Sequence, residues 1–566
     1  NNTVTLTDGV FSQGAKAYVG GWAYIATQMD NLVDKNVMNV KNVISDGTYG
    51  AGGFAYQITT HKNQPDVIAE IKNTNIVLDK FEQGTTIESA YVGGFVAYNR
   101  GTIADSSTKI PGIALIGVKS FVGGFVGYNL GPITSSTADS GPITITGFGD
   151  TGGFVGYNGA FPIENSVANI TSISVNGDPQ RIAGSAAFVR DSITASSGNY
   201  VNLGGFIGIG TDIAQSGNSA QVGENLISIE NIGVVNIGGY AGRIIASANG
   251  NASVDTATAL IFGKIEGRTE KTDFPSFSAG GIGVLQGQPN SAGAAVLKDS
   301  ASYVGGEIIA GNFTPFGGEN PVAGAVGNLI YGTLFGYTVL SDYLEAGIPN
   351  RVYPLTYVAN VVEPTDFTNN FFVEVNGAAR TVVPVTLNAA GEFEQGAILG
   401  TIGIAPRVFQ NNYWGASADD PLNTYPYANF DYVSVNEAGI AFNLISRDSN
   451  IAAADATQAT LNDFVHRHLS IWAGNNTTPA PIYDILGIKA GDFFSLTYES
   501  NGGTVYPAEM YLQGTEVTLD KVPVRDGFNF DGWYAESELT TKLTTVIING
   551  NTTVYAKWSS IPSATA

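Results

Sequence analysis

Cysteine is absent from the 566 residues, which excludes disulfides and thiolate metal sites. Histidine is almost absent, and its three positions, His61, His466 and His468, stand in no catalytic context: no His-Glu-x-x-His zinc motif and no arrangement suggesting a serine triad occurs. Charged residues make up only 13% of the chain, and acids outnumber bases 49 to 26, for a formal charge of −23. That sign speaks against a nucleic-acid groove or an anionic membrane surface as partner. No apolar run approaches the roughly 18 residues that would span a bilayer, so no transmembrane segment is expected. The start at Asn1 has no initiator Met, basic n-region or apolar h-region, and reads as a processed mature chain.

Glycine is plentiful instead, at 72 residues, beside 43% hydrophobic ones. This balance suits stacked strands with tight turns and is poor for disorder or helical bundles. The glycines recur in a pattern. Tyr91-Val92-Gly93-Gly94-Phe95-Val96-Ala97-Tyr98-Asn99 returns as Phe121 to Asn129 and as Gly152 to Asn158, with glycine pairs beginning at 93, 123 and 152. Weaker copies stand at Gly20-Gly21-Trp22, Gly52-Gly53-Phe54, Gly204-Gly205-Phe206, Gly238-Gly239-Tyr240 and Gly280-Gly281-Ile282. A fixed period of this size means stacked, near-identical units. Phe-Val-Gly-Tyr is a short β-prone run bounded by turn residues. Alternation predicts Phe95, Phe125 and Phe154 on one face of the strand and Val96, Val126 and Val155 on the other. Stacking in parallel would build ladders of Phe, of Gly and of Asn99, Asn129 and Asn158. The predicted fold is mainly β, a right-handed parallel β-helix, since parallel crossovers are overwhelmingly of that hand.

The run Gly-Gly-Phe-Val-Gly-Tyr-Asn-x-Gly-x-Ile at 123 to 133, with small changes at 93 to 103, resembles the GLUG repeat of bacterial surface proteins and secreted adhesins. Glu164-Asn165-Ser166-Val167-Ala168 supplies the continuation of that repeat. The resemblance covers roughly residues 18 to 330 and implies a β-helix without implying a ligand. Later, Leu496-Thr497-Tyr498-Glu499-Ser500-Asn501-Gly502-Gly503, Arg525-Asp526-Gly527-Phe528-Asn529-Phe530-Asp531-Gly532-Trp533-Tyr534 and Thr553-Val554-Tyr555-Ala556-Lys557-Trp558 resemble the internalin-type B repeat, or Listeria–Bacteroides repeat. That resemblance implies a small β-grasp-like module serving as spacer or interaction unit on bacterial surfaces. Val522-Pro523-Val524 departs from the family's usual Pro-x-x-Pro. By alternation Phe528, Phe530, Trp533, Tyr555 and Trp558 are first a small core.

The expected organisation is a GLUG-repeat β-helix with an N-terminal cap over 1–340, last coils with an insertion and a helical junction over 341–490, the B-repeat module over 491–558, and a tail over 559–566. Val4 to Leu6 is the opening strand, and Asp178-Pro179 and Asp273-Phe274-Pro275 read as excursions from the stack. A helix is predicted over 457–473, with Leu461, Phe464, Val465, Leu469 and Trp472 on one side and Gly474 as stop. Asn411-Asn412-Tyr413-Trp414-Gly415 looks like the Tyr-Trp element that follows such repeats, and Asp419-Asp420 reads as a solvated turn with calcium as the sharper alternative.

Some β-helices are polysaccharide lyases or glycosidases, which need paired carboxylates on a strand face, and the repeated strands carry almost none. Gly-x-Gly strings with no following helix are not phosphate loops. No catalytic, cofactor-binding or metal residue is assigned, and the ligand-binding residues stay unassigned. The expected function is non-enzymatic: an extracellular surface adhesin or stalk that attaches to a glycan, a host or a neighbouring cell. The alternative is a subunit that polymerises with copies of itself into a filament or sheath, using Thr3 to Thr7 as a strand donor.

Overall fold

The computed structural model describes most of residues 3–312 and 493–560 and short strands between 322 and 445, while residues 178–199 and 446–492 are among those it does not describe. Every regular element among the described residues is a β-strand. The chain divides into two compact units, Asn1–Ala416 with Asp420–Phe430, and Ser417–Asp419 with Asp431–Ala566. The expected helix over 457–473, the Asp178-Pro179 and Asp273-Phe274-Pro275 breaks and the Asp419-Asp420 pair fall outside the described residues.

The larger unit is a parallel β-helix. One coil runs through Thr86–Gly93, a bend at Gly94-Phe95, then Val96–Asn99, Thr102–Ala104 and Ser107–Ile110, before Ile113–Gly123 carries the chain into the next coil. Each strand pairs with its own repeat: Tyr98 lies over Tyr128 and Asn99 over Asn129, and these in turn over Tyr157 and Asn158. One ladder has ten strands, from Ala23–Ala26 to Thr356–Val358. At a strand spacing of about 4.8 Å its nine steps extend roughly 43 Å. Parallel pairing persists to Tyr413–Ala416, which lies on Phe371–Glu374.

The bend explains the glycines. A Cβ on Gly94 would stand 2.1 Å from the carbonyl oxygen of Gly124 in the next coil, so the corner closes only without a side chain. The aromatic residue after it is wholly buried and stacks on its counterpart: Phe54 on Phe95 at 5.2 Å, Phe95 on Phe125 at 4.7 Å, Phe125 on Phe154 at 4.8 Å, Phe154 on Phe206 at 4.8 Å and Phe206 on Tyr240 at 5.2 Å. These separations are close to the strand spacing itself.

Two details differ from the expectation. Phe and Val do not take opposite faces, because Phe125 lies in the bend and the strand begins at Val126; both are buried in one core. The copy read at Gly280-Gly281 is displaced by one residue. Ala279 pairs with Gly238 and Ile282 with Ala241, so Gly281 takes the aromatic position and the ring ladder ends at Tyr240.

Two polar ladders complete the interior. Asn99 Nδ2 donates to Asn129 Oδ1 at 2.7 Å and Asn129 Nδ2 to Asn158 Oδ1 at 2.6 Å, while Asn99 also closes its own turn through Gly101. At the next corner Asn73, Asp105, Ser135 and Asn165 all adopt positive φ near 50°, a conformation that short polar side chains tolerate better than most. The hydroxyl that follows accepts a backbone N–H from the coil before: Thr74 N–H bonds Ser106 Oγ, Ser106 N–H bonds Ser136 Oγ, and Ser136 N–H bonds Ser166 Oγ.

In the smaller unit Phe493–Glu499 and Thr552–Ser560 pair in parallel at the centre of a five-stranded sheet, flanked by Glu509–Leu512, Phe528–Tyr534 and Lys542–Leu543. Trp533 anchors its core beside Leu496, Tyr498, Val517, Ile548 and Val554, with Phe530 and Trp558 packed at the margin. Phe528 and Tyr555, expected in that core, are half-buried outside it. Phe528 instead packs under the Arg525 guanidinium at 4.0 Å.

Phe125→Ala should destabilise the solenoid by about 3–5 kcal/mol, the usual cost of emptying a wholly buried aromatic site. Asn129→Ala should cost about 1–3 kcal/mol for each buried amide or carbonyl left unpaired. The outward amide Asn169, bonded to Asp139, should cost less than about 1 kcal/mol on the same change. Denaturant unfolding of the three variants checks the order.

Candidate functional site

In each regular copy the residue just before the buried Asn is half-exposed on the outer side. Tyr98, Tyr128 and Tyr157 form one outer column, preceded by Gln57 and followed by Ile209. Tyr91 and Phe121 form a second, preceded by Gly50 and followed by Asp150. The sharp bend folds one column against the other. A Cβ on Gly127 would lie 2.7 Å from Val92 N, and one on Gly156 2.5 Å from Val122 N, so the two strands approach as closely as backbone allows.

The five half-buried rings interlock as a terrace. Within columns they stack, Tyr91 on Phe121 at 5.5 Å, Tyr98 on Tyr128 at 5.3 Å and Tyr128 on Tyr157 at 4.3 Å. Between columns they meet edge to face, Tyr91 against Tyr128 at 5.3 Å and Phe121 against Tyr128 at 5.2 Å. Arg100 closes one end: its Nε donates to Tyr98 Oη at 2.8 Å and its guanidinium lies 5.3 Å from that ring. Past the rings the Tyr91 column becomes polar, with Asn202 donating to Asp150 Oδ1 at 2.6 Å and Asn236 donating to Asn202 Oδ1 at 2.7 Å.

Burial, and then the neighbouring Tyr157 phenol, pushes the Tyr128 hydroxyl well above its usual value, and Tyr91 shifts the same way through burial and Tyr98. Stacking uses the ring faces on one another. What a ligand can meet is therefore ring edge and phenol at a repeat set by the strands, a surface matched to hydroxyl-rich molecules more than to flat ones.

Other polar clusters have structural partners. At Glu266 burial opposes ionisation, but the ion pairs to Lys264 and Arg268 outweigh it and hold the carboxyl below its ordinary value. In the smaller unit the Glu509 carboxylate receives Tyr498 and Tyr511 hydroxyls at 3.1 and 2.8 Å and pairs with Lys521 at 2.6 Å. Burial and then Glu509 raise both tyrosines. Among the described residues no group of three or more His, Cys, Asp and Glu could hold a metal ion. His61, His466 and His468 lie outside those residues.

The terrace was missed by sequence reasoning although its tyrosines lie inside the quoted repeat. Its signal is positional: Tyr98, Tyr128 and Tyr157 each stand just before the repeated Asn, at the same place in successive copies, so stacking brings the rings together.

The fold favours the neutral phenol at Tyr128, whose ordinary value is 10.0. Its contribution is fully present below about pH 10 and is lost as the pH climbs through the raised folded-state value. Alkaline unfolding should therefore be steeper for the unmodified chain than for Tyr128→Phe, which thermal melts between pH 9 and 12 would check.

Residues 494–557 match the family model of the Listeria-Bacteroides repeat domain. A curated protein of Evansella cellulosilytica, described as a putative Gly-rich membrane protein, is 33% identical over 67 residues, which are 12% of this chain and 8% of that protein. The chain thus spans a small fraction of that relative's length. No solved structure matches the chain. No helix among the described residues is long and apolar enough to cross a membrane, which leaves β-barrels aside. The Listeria-Bacteroides repeat is found in surface proteins, and its presence suggests a bacterial surface protein here.

Proposed function

We propose that this chain is a non-enzymatic extracellular adhesin of a bacterial surface, in which a GLUG-type solenoid forms a stiff stalk and the aromatic terrace engages a surface glycan. The observation that carries this reading is the terrace: five interlocked rings stand on the outer face of the most regular coils, where the core does not need them. A contiguous cluster of half-exposed rings supports a binding surface more than scattered single rings would. The phenol repeat of about one strand spacing suits a polymer of hydroxylated units lying along the coil axis. A terminal repeat of a type carried by surface proteins agrees with this placement.

A second reading, a filament subunit, draws on the parallel register of the opening coil. Thr3–Leu6 and Val10–Gln13 both pair in parallel with Asn36–Asp46, so a strand from another copy could extend the ladder in the same sense.

The test is binding of the full chain to arrayed bacterial and host polysaccharides, beside a triple variant Tyr98→Phe, Tyr128→Phe and Tyr157→Phe that keeps the stack and removes the hydroxyls. Glycan binding that weakens tenfold or more, about 1.4 kcal/mol, with an unchanged melting temperature supports the adhesin. Absence of glycan binding, or equal binding by both chains, sinks it. Light scattering of the full chain, with and without residues 1–10, separates the second reading, which requires concentration-dependent growth that the deletion abolishes.

A further inference from the structure

Among the described residues Tyr128 and Tyr157 are the most closely stacked aromatic pair, with centroids 4.3 Å apart and planes within 10°. The Tyr157 phenol lies near enough to the Tyr128 hydroxyl to add, after burial, to raising it. Both are half-buried. They belong to successive coils, paired residue for residue in parallel.

We propose that Tyr128 and Tyr157 are a site of oxidative coupling, at which a peroxidase-type one-electron oxidant with hydrogen peroxide joins the carbons ortho to the two hydroxyls and links successive coils covalently. Each phenol loses one electron and its hydroxyl proton, giving two phenoxyl radicals. A carbon–carbon bond forms between the ortho positions, and each ring regains aromaticity as its ortho hydrogen moves, as a proton, to the phenol oxygen. Two tyrosines thus give up two electrons and two protons, and hydrogen peroxide takes them up as two molecules of water.

Two features favour coupling here, one of the whole chain and one of this pair. The chain has no cysteine and only three methionines, so the side chains that ordinarily consume such oxidants first are nearly missing. Tyr98, the other neighbour of Tyr128, is farther away at 5.3 Å and carries the Arg100 cation against its hydroxyl and ring, which opposes removal of an electron. The link would close a loop of one coil and restrict the unfolded chain as a disulfide does, in a protein that can make no disulfide. The inference does not depend on the terrace binding a glycan.

The experiment treats the dilute full chain with a haem peroxidase and hydrogen peroxide, with free tyrosine in a parallel tube as control. The expected result is dityrosine fluorescence, a monomeric band on a denaturing gel, loss of the mass of two hydrogens and a cross-linked peptide pair containing Tyr128 and Tyr157. Tyr157→Phe, which keeps the ring stack, should abolish that peptide pair, and Tyr98→Phe should leave it. A melting temperature raised by several degrees in the coupled chain would accompany the link. Coupling mapped to other tyrosines or between chains, or no coupling while free tyrosine is consumed, overturns the proposal.

Discussion

Parallel stacking of like on like, one strand spacing per coil, is the contact that the rest of the larger unit obeys. A ring above a ring at 4.7 or 4.8 Å, an amide above an amide at 2.6 or 2.7 Å and a glycine beneath a carbonyl are three forms of the same repeat. Each needs the register that the others enforce. A slip by one residue would put Phe125 where Gly94 meets Gly124, and turn the buried Asn129 toward solvent. The hydroxyl ladder at Ser106, Ser136 and Ser166 does the same work at the opposite corner, tying backbone N–H to the next coil where no strand runs.

The same repeat restrains charge. Identical ions in one column would sit about 4.8 Å apart, close enough to repel appreciably at partly buried sites. The columns accordingly alternate. Lys109 stands over Asp139, Asp139 over Asn169, Asp150 over Asn202, and Asp255 over Lys298 with an ion pair of 2.7 Å. A chain with only 13% charged residues is what such a ladder tolerates. Aromatic residues bear no such penalty, and their stacking gains from repetition, so a functional surface built on this scaffold is more readily aromatic than ionic.

The smaller unit shows a different logic. Its core is centred on Trp533, whose indole N–H bonds the Lys521 carbonyl at 2.7 Å, and the buried Glu509 is satisfied by two phenols and an ammonium. A small domain with little apolar area uses such polar ties to hold one arrangement.

Much of this was legible in the sequence. The period of the Gly-Gly-Phe copies required stacked parallel coils, the punctuation by Asn and Gly required corners, and the resemblance of 494–558 to the Listeria–Bacteroides repeat implied a small β module. The first two conclusions rest on residue types and their spacing along the chain, which can be read without knowing any contact. The tertiary structure decided what depends on an angle or on a neighbour. It placed Phe125 and Val126 in one core because the chain turns between them, it moved the copy at 279–282 by one residue because pairing with Gly238 and Ala241 sets the register, and it gathered Tyr91, Tyr98, Phe121, Tyr128 and Tyr157 into one surface. Residues some 30 apart in the chain become contacts only when a coil closes at a particular pitch, and the sharpness of a corner is fixed by the coils above and below it, not by the residues that form it.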